Sequence, residues 1–121
     1  MKIEVIEIDS LKPELKLFIH RTGKIGFTKS VERYMGIAHG KSITFGLNSE
    51  NKNDKDFYVV VHDKKVKNGF KVQKNGEYLS IHTKILLDNY GFDYSKGTLC
   101  IDIEEIKQAA GSVFKFIIKE K

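Results

Sequence analysis

Apolar and polar residues alternate along most of this chain, and the period lengthens only over two short stretches. Residues 3–8 set Ile3, Val5, Ile6 and Ile8 against Glu4 and Glu7, which predicts a half-buried or edge strand. From Leu15 to Arg21 a second strand is expected, with Leu15, Leu17 and Ile19 on one face and Lys16, Phe18 and His20 on the other. Pro13 falls in the loop between them. Thr22-Gly23 turns the chain, since glycine tolerates the positive φ of a tight hairpin, and Ile25 and Phe27 alternate on the returning strand. Val31, Tyr34 and Met35 then follow helical spacing. They predict a short helix over about 29–36, capped by Thr28 and stopped by Gly36.

The next strand, 42–47, points Ile43, Phe45 and Leu47 one way; the polar stretch 48–56 reads as a hairpin loop. The run Phe57-Tyr58-Val59-Val60-Val61 predicts a strand over 57–62 buried on both faces. Beyond a connector at 64–69 the pattern restarts. A strand over 70–74, a type I′ turn at Asn75-Gly76 and a strand over 78–81 lead into a short helix, 83–90, ended by Gly91. A strand over 98–103, a loop or single helical turn over 104–112 and a strand over 113–119 complete the chain. The order strand, strand, helix, strand, strand thus occurs over 15–63 and again over 69–119. The expected fold is a single domain, 1–121, mainly β with two short helices: a tandem ββαββ pseudo-repeat forming a barrel or interlocked sheets. Its expected core is Val31, Met35, Ile37, Ile43 and Phe45, with Leu86, Tyr90, Phe92, Leu99 and Ile101 as their copies.

Composition narrows the function classes. At 121 residues a single core can bury roughly two-thirds of the unfolded surface. A net charge of +5, from 21 basic and 16 acidic side chains, favours a polyanionic partner. Cys100 is the sole cysteine, which excludes an intrachain disulfide and, mid-strand, predicts a buried inert thiol. The four histidines have no metal-ligand spacing, and Asp54-Lys55-Asp56 lacks the register of a calcium loop, so neither a metal nor a cofactor is expected. No apolar run reaches the roughly 18 residues of a membrane helix. Residues 1–8 carry acidic side chains inside their apolar stretch and read as a strand rather than a signal peptide, so a cytoplasmic protein is expected. No acid–base pair, activated nucleophile or phosphate-cradling loop stands out, and binding rather than catalysis is expected.

The motif across 23–45 is the most specific in the chain. Gly23, Ile25, Phe27, Lys29 and Val31 are followed, without a gap, by Met35-Gly36-Ile37, Gly40, Ile43 and Phe45. This stretch resembles the AbrB-like swapped-hairpin DNA-binding family, with a weaker second copy from about residue 70. Thr28 stands where the family places a helix-starting proline, Glu32 where it places an arginine and Lys41 where it places an aspartate. The resemblance implies two interlocked units, from two chains or from tandem copies, with basic residues of the paired hairpins facing DNA. The chain would then be a monomeric pseudo-dimer or a homodimer. By position His20, Arg21 and Lys24 would take the DNA-facing role in the first copy. Gln73, Lys74 and Glu77 hold the matching places in the second.

Basic residues also cluster by element: Arg21, Lys24, Lys29, Arg33 and Lys41, then Lys71, Lys74 and Lys84. Phe18, Phe27, Tyr34 and Tyr78 interleave with them, a mixture suited to phosphate neutralisation and base stacking. The expected nucleic-acid-binding residues are Arg21, Lys24, Lys29, Arg33 and Lys74. The expected function is a small nucleic-acid-binding protein, a transcriptional regulator of AbrB-like type. The alternatives are a non-catalytic protein-interaction module of a phage or mobile element and a Whirly-like single-strand binder.

Overall fold

A computed structural model of the protein describes residues 1–8, 15–109 and 111–120. Strand accounts for 43% and helix for 12%, so the mainly-β class with two short helices holds. In chain order the elements are β1 (Lys16–Phe18), β2 (Lys24–Phe27), α1 (Lys29–Met35), β3 (Ser42–Gly46) and β4 (Phe57–His62). They continue with β5 (Phe70–Lys71), β6 (Gln73–Asn75), β7 (Tyr78–His82), α2 (Lys84–Asn89), β8 (Leu99–Gln108) and β9 (Gly111–Glu120). A curled, half-barrel sheet has the order β1-β8-β9-β4-β3-β5, and a smaller sheet the order β2-β7-β6; every pairing is antiparallel.

The large sheet reads the same from both ends once the halves are exchanged. β1 of the first half pairs with β8 of the second, β5 of the second pairs with β3 of the first, and β4 and β9 meet in the middle. Each opening strand also changes sheets in the same way. Ile19, just past β1, bridges to Ile25 of the small sheet, and its N–H donates to the carbonyl of Leu99 (3.1 Å). Val72, just past β5, precedes β6 of the small sheet, and its N–H donates to the carbonyl of Lys41 (3.0 Å). The halves are therefore interlocked through strands that each lends to the other, and β2 joins β7 in the small sheet with Ile25 opposite Ile81.

The pairing corrects the correspondence between copies. Leu17 pairs with Ile101 and Phe70 with Ile43, so Ile43 is equivalent to Ile101 rather than to Leu99. A slip of two residues leaves every side chain on its own face, so alternation does not reveal it.

Local chemistry explains the helices. Thr28 caps α1 by accepting the N–H of Val31 at 3.3 Å, and Gly36 ends it in the left-handed conformation at φ 72°. The hydroxyl of Thr83, at the corresponding entry to α2, is used elsewhere: it donates to the carbonyl of Gly23 at 2.8 Å, tying the second helix to the first hairpin. The turn of the second hairpin is Gly76-Glu77, between the paired residues Asn75 and Tyr78. Gly76 alone has positive φ there, as a II′ turn requires, so the expected type I′ turn at Asn75-Gly76 is not formed.

The core is one cluster containing Leu17, Ile19, Ile25, Phe27, Val31, Met35, Ile37, Ile43, Leu99, Ile101 and Phe116, with Cys100 also buried. Phe45 is half-buried, edge-on to Phe57, Phe70 and Phe116. In α2 it is Leu87 that is fully buried; Leu86 and Phe92 are half-buried, and Tyr90 lies at the surface against Phe57.

Two expected elements differ. Residues 1–8 form no strand, and Ile3, Val5, Ile6 and Ile8 are exposed. Most of the stretch expected as a loop over 104–112 instead extends β8 to Gln108 and opens β9 at Gly111, giving a long two-stranded ribbon. The loop expected around Pro13 lies outside the described residues. Among the described residues no helix is long and apolar enough to cross a membrane.

Candidate nucleic-acid interface

The small sheet has an inner face set by Ile25, Phe27, Leu79 and Ile81, all buried. Strand alternation therefore sends Lys24, Gly26, Tyr78, Ser80 and His82 to the outer face. Lys24 lies opposite His82, and Gly26 opposite Ser80. On the first strand Leu17 and Ile19 are buried, which turns Phe18 and His20 outward beside them. On β6, Gln73 and Asn75 share the outer face because they pair with Ser80 and Tyr78.

These residues enclose a cleft of about 390 Å³, lined by Phe18, His20, Lys24, Gly26, Thr28, Asn75, Tyr78 and Ser80 among others. That volume lies within the roughly 300–1,000 Å³ of small-ligand sites. Gly26 is needed there: a Cβ at this position would stand 2.9 Å from Nε2 of His20, whose ring lies over the strand. Ser80 is buried beside it and accepts a hydrogen bond from the Asn75 side-chain amide at 3.1 Å. Phe18 and Tyr78 keep large parts of their rings exposed, 45% and 64%. The cleft continues past Phe18, His20 and Lys24 into a second depression lined by Arg21, Thr22 and Gly97.

The turn beside it is firmly seated. Gly23 has φ 83°, and a Cβ there would come within 2.9 Å of the Lys84 Cα and 3.1 Å of the Tyr94 ring. The Arg21 side chain lies across Gly97, where a Cβ would meet its Nε at 2.9 Å. Lys84 is committed to Asp88 at 2.7 Å, and Tyr94 donates to the same carboxylate at 2.7 Å. These interactions hold the Lys84 ammonium above its ordinary range, Asp88 being the larger influence and Tyr94 the next.

Of the five expected site residues the structure brings Arg21 and Lys24 to the connected depressions. Lys29 is nearby but engaged, donating to the carbonyl of Glu77 at 2.5 Å and pairing with Glu32 at 3.4 Å. Arg33 is exposed on α1, and neither it nor Lys29 lines the cleft. Lys74 pairs with Leu79 and so projects from the opposite face of the sheet. Arg21, Lys24, Arg33 and Lys74 make no ion pair among the described residues. Lys41, by contrast, sits 3.4 Å from Asp63. Of the interleaved aromatics, Phe27 is core, and the Tyr34 hydroxyl donates to Glu105 at 2.9 Å. Sequence patterning does not single out Gly26, Asn75 or Ser80; a glycine inside a strand pattern is the one signal of close approach that points there. Among the described residues no cluster of metal-ligating side chains occurs. Comparison with protein-family models, curated proteins and solved structures gives no match.

Proposed function

We propose that this protein binds nucleic acid through the outer face of the small sheet and the adjoining turn at Arg21–Lys24. The observation that carries this reading is the cleft itself. Exposed aromatic side chains stand beside a lysine and an arginine that no carboxylate among the described residues neutralises, on a chain of net charge +5. Such cations on a rigid β scaffold can replace the counterions of a phosphate chain, and exposed rings can take bases. The AbrB-like resemblance would narrow this reading to a transcriptional regulator on duplex DNA. The test is fluorescence anisotropy of labelled single- and double-stranded oligonucleotides over a salt series. Arg21→Ala and Lys24→Ala should leave folding within about 0.5 kcal/mol of wild type. Each should weaken binding and lower the salt slope by about one unit for every phosphate no longer neutralised. Glu104→Gln, at an exposed position on β8, should change neither.

A protein-interaction module is the second reading, favoured by Ile3, Val5, Ile6 and Ile8, each at least 70% exposed. Absence of binding to any oligonucleotide at low salt would transfer the assignment to it.

A further inference from the structure

The cleft has features that a phosphate-binding surface alone does not need. Its lining includes a strand glycine, the exposed rings of Phe18 and Tyr78, and Lys24, which also lines the Arg21 depression. The Asn75 side chain spends its amide N–H on Ser80, leaving its carboxamide oxygen without a protein donor among the described residues. The His20 imidazole brings its Nε2 over Gly26 in the same cleft.

We infer that this cleft seats one unpaired nucleobase, so that the protein prefers single-stranded to duplex nucleic acid; this rests on the nucleic-acid reading above. A base in a duplex has its faces stacked and its pairing edge occupied, and can offer a ring-lined cleft neither. An unpaired base can lie against Phe18 and Tyr78, present an exocyclic N–H to the Asn75 oxygen and leave its phosphate to Lys24. Among the described residues, the side chains that build the cleft are not repeated across the pseudo-twofold arrangement. The position equivalent to Gly26 is His82, and that equivalent to Phe18 is Lys71, as the pairings of Lys24–His82 with Gly26–Ser80 and of Phe18–Cys100 with Lys71–Ser42 show. One base per chain is therefore expected.

The experiment compares three probes of equal length on the full chain: a single strand, the same strand with abasic sites throughout, and the duplex. The expected result is tightest binding to the base-bearing single strand. Phe18→Ala and Tyr78→Ala should each weaken that complex about tenfold while leaving the abasic complex unchanged. Gly26→Ala, which adds a methyl to that lining at an ordinary backbone conformation, should do the same. Lys24→Ala should weaken the base-bearing and abasic complexes alike. Equal affinity for base-bearing and abasic strands, or tighter binding to duplex, would overturn the base site and leave the nucleic-acid reading standing. No binding to any of the three probes would remove both.

Discussion

The hairpin of the first half closes through Arg21-Thr22-Gly23 directly above the His20–Lys24 rung. That of the second half continues past the equivalent rung, Gln73–Ser80, through Lys74–Leu79 and Asn75–Tyr78 before it turns. The backbones before these points are matched pair for pair, and so is the interior. Ile25 faces Ile81, and the Leu17–Ile101 pair corresponds to Phe70–Ile43. Outside, the equivalents diverge: Gly26 against His82, Phe18 against Lys71, His20 against Gln73. Pairing and burial leave little choice to the inward side chains, since a changed volume in a close-packed interior must be accommodated by its neighbours. The outward ones are free to differ. The cleft arises from that freedom, because the longer hairpin brings Asn75 and Tyr78 alongside a strand whose outer face is bare only at Gly26.

The strongest test of the matched interior is at its centre. Ile25→Ala and Ile81→Ala should each cost about 3 kcal/mol in urea denaturation, because both side chains are fully buried and opposed. A difference between them of more than about 2 kcal/mol would mean that the two halves do not share the load and that the equivalence is one of topology alone.

The turns should respond unequally. Gly23 and Gly76 both have positive φ, 83° and 63°. A Cβ at Gly76 meets nothing within 4 Å, whereas one at Gly23 would press on the Lys84 Cα. Gly76→Ala should therefore cost only the conformational term, about 1 kcal/mol, and Gly23→Ala about 2 kcal/mol or more, as measured by thermal or urea unfolding. Equal losses would mean that the first turn yields as freely as the second, and that the support under Arg21 and Lys24 is not rigid.

The sequence carries the fold further than the site, for identifiable reasons. Alternation places Leu17 and Ile19 inward and Phe18 and His20 outward, and the cap of Thr28 and the stop at Gly36 are legible from local chemistry. Alternation cannot say whether a strand finds a partner, which is why residues 3–8 read as a strand and form none. It also fails where both faces of a ribbon are wet. Glu104, Glu105, Lys107 and Gln108 read as loop residues, yet the ladder of β8 and β9 runs through all of them. The cleft depends on β2 lying beside β7, a pairing between distant segments, so Lys24 can be named from its charge while Gly26, Asn75 and Ser80 cannot be joined to it. Charge alone misplaces Lys74 for a related reason: its face is set by its pairing with Leu79.

The smallest expected effect concerns the contacts that brace the first turn from the second half. Asp88 is held below the ordinary carboxylate range, first by the hydrogen bond from Lys84 and next by that from Tyr94. A depressed carboxylate binds fewer protons folded than unfolded in the window between its two pKa values. Its contribution is therefore complete above the unfolded value of about 4 and is lost as pH falls through the lower folded value. Both partners are solvent-exposed, so the change in stability should be slight and weaker still in high salt. The sharper readout is the titration itself. Tyr94→Phe keeps the ring that packs near Gly23 but removes the hydroxyl, so the side-chain carboxyl carbon of Asp88, followed by NMR, should titrate closer to its ordinary range. An unchanged midpoint would show that Lys84 alone sets it. Tyr94 would then support the turn by packing only, beside the Thr83 hydroxyl, the Arg21 contact with Gly97 and the β2–β7 ladder that hold the first hairpin in any case.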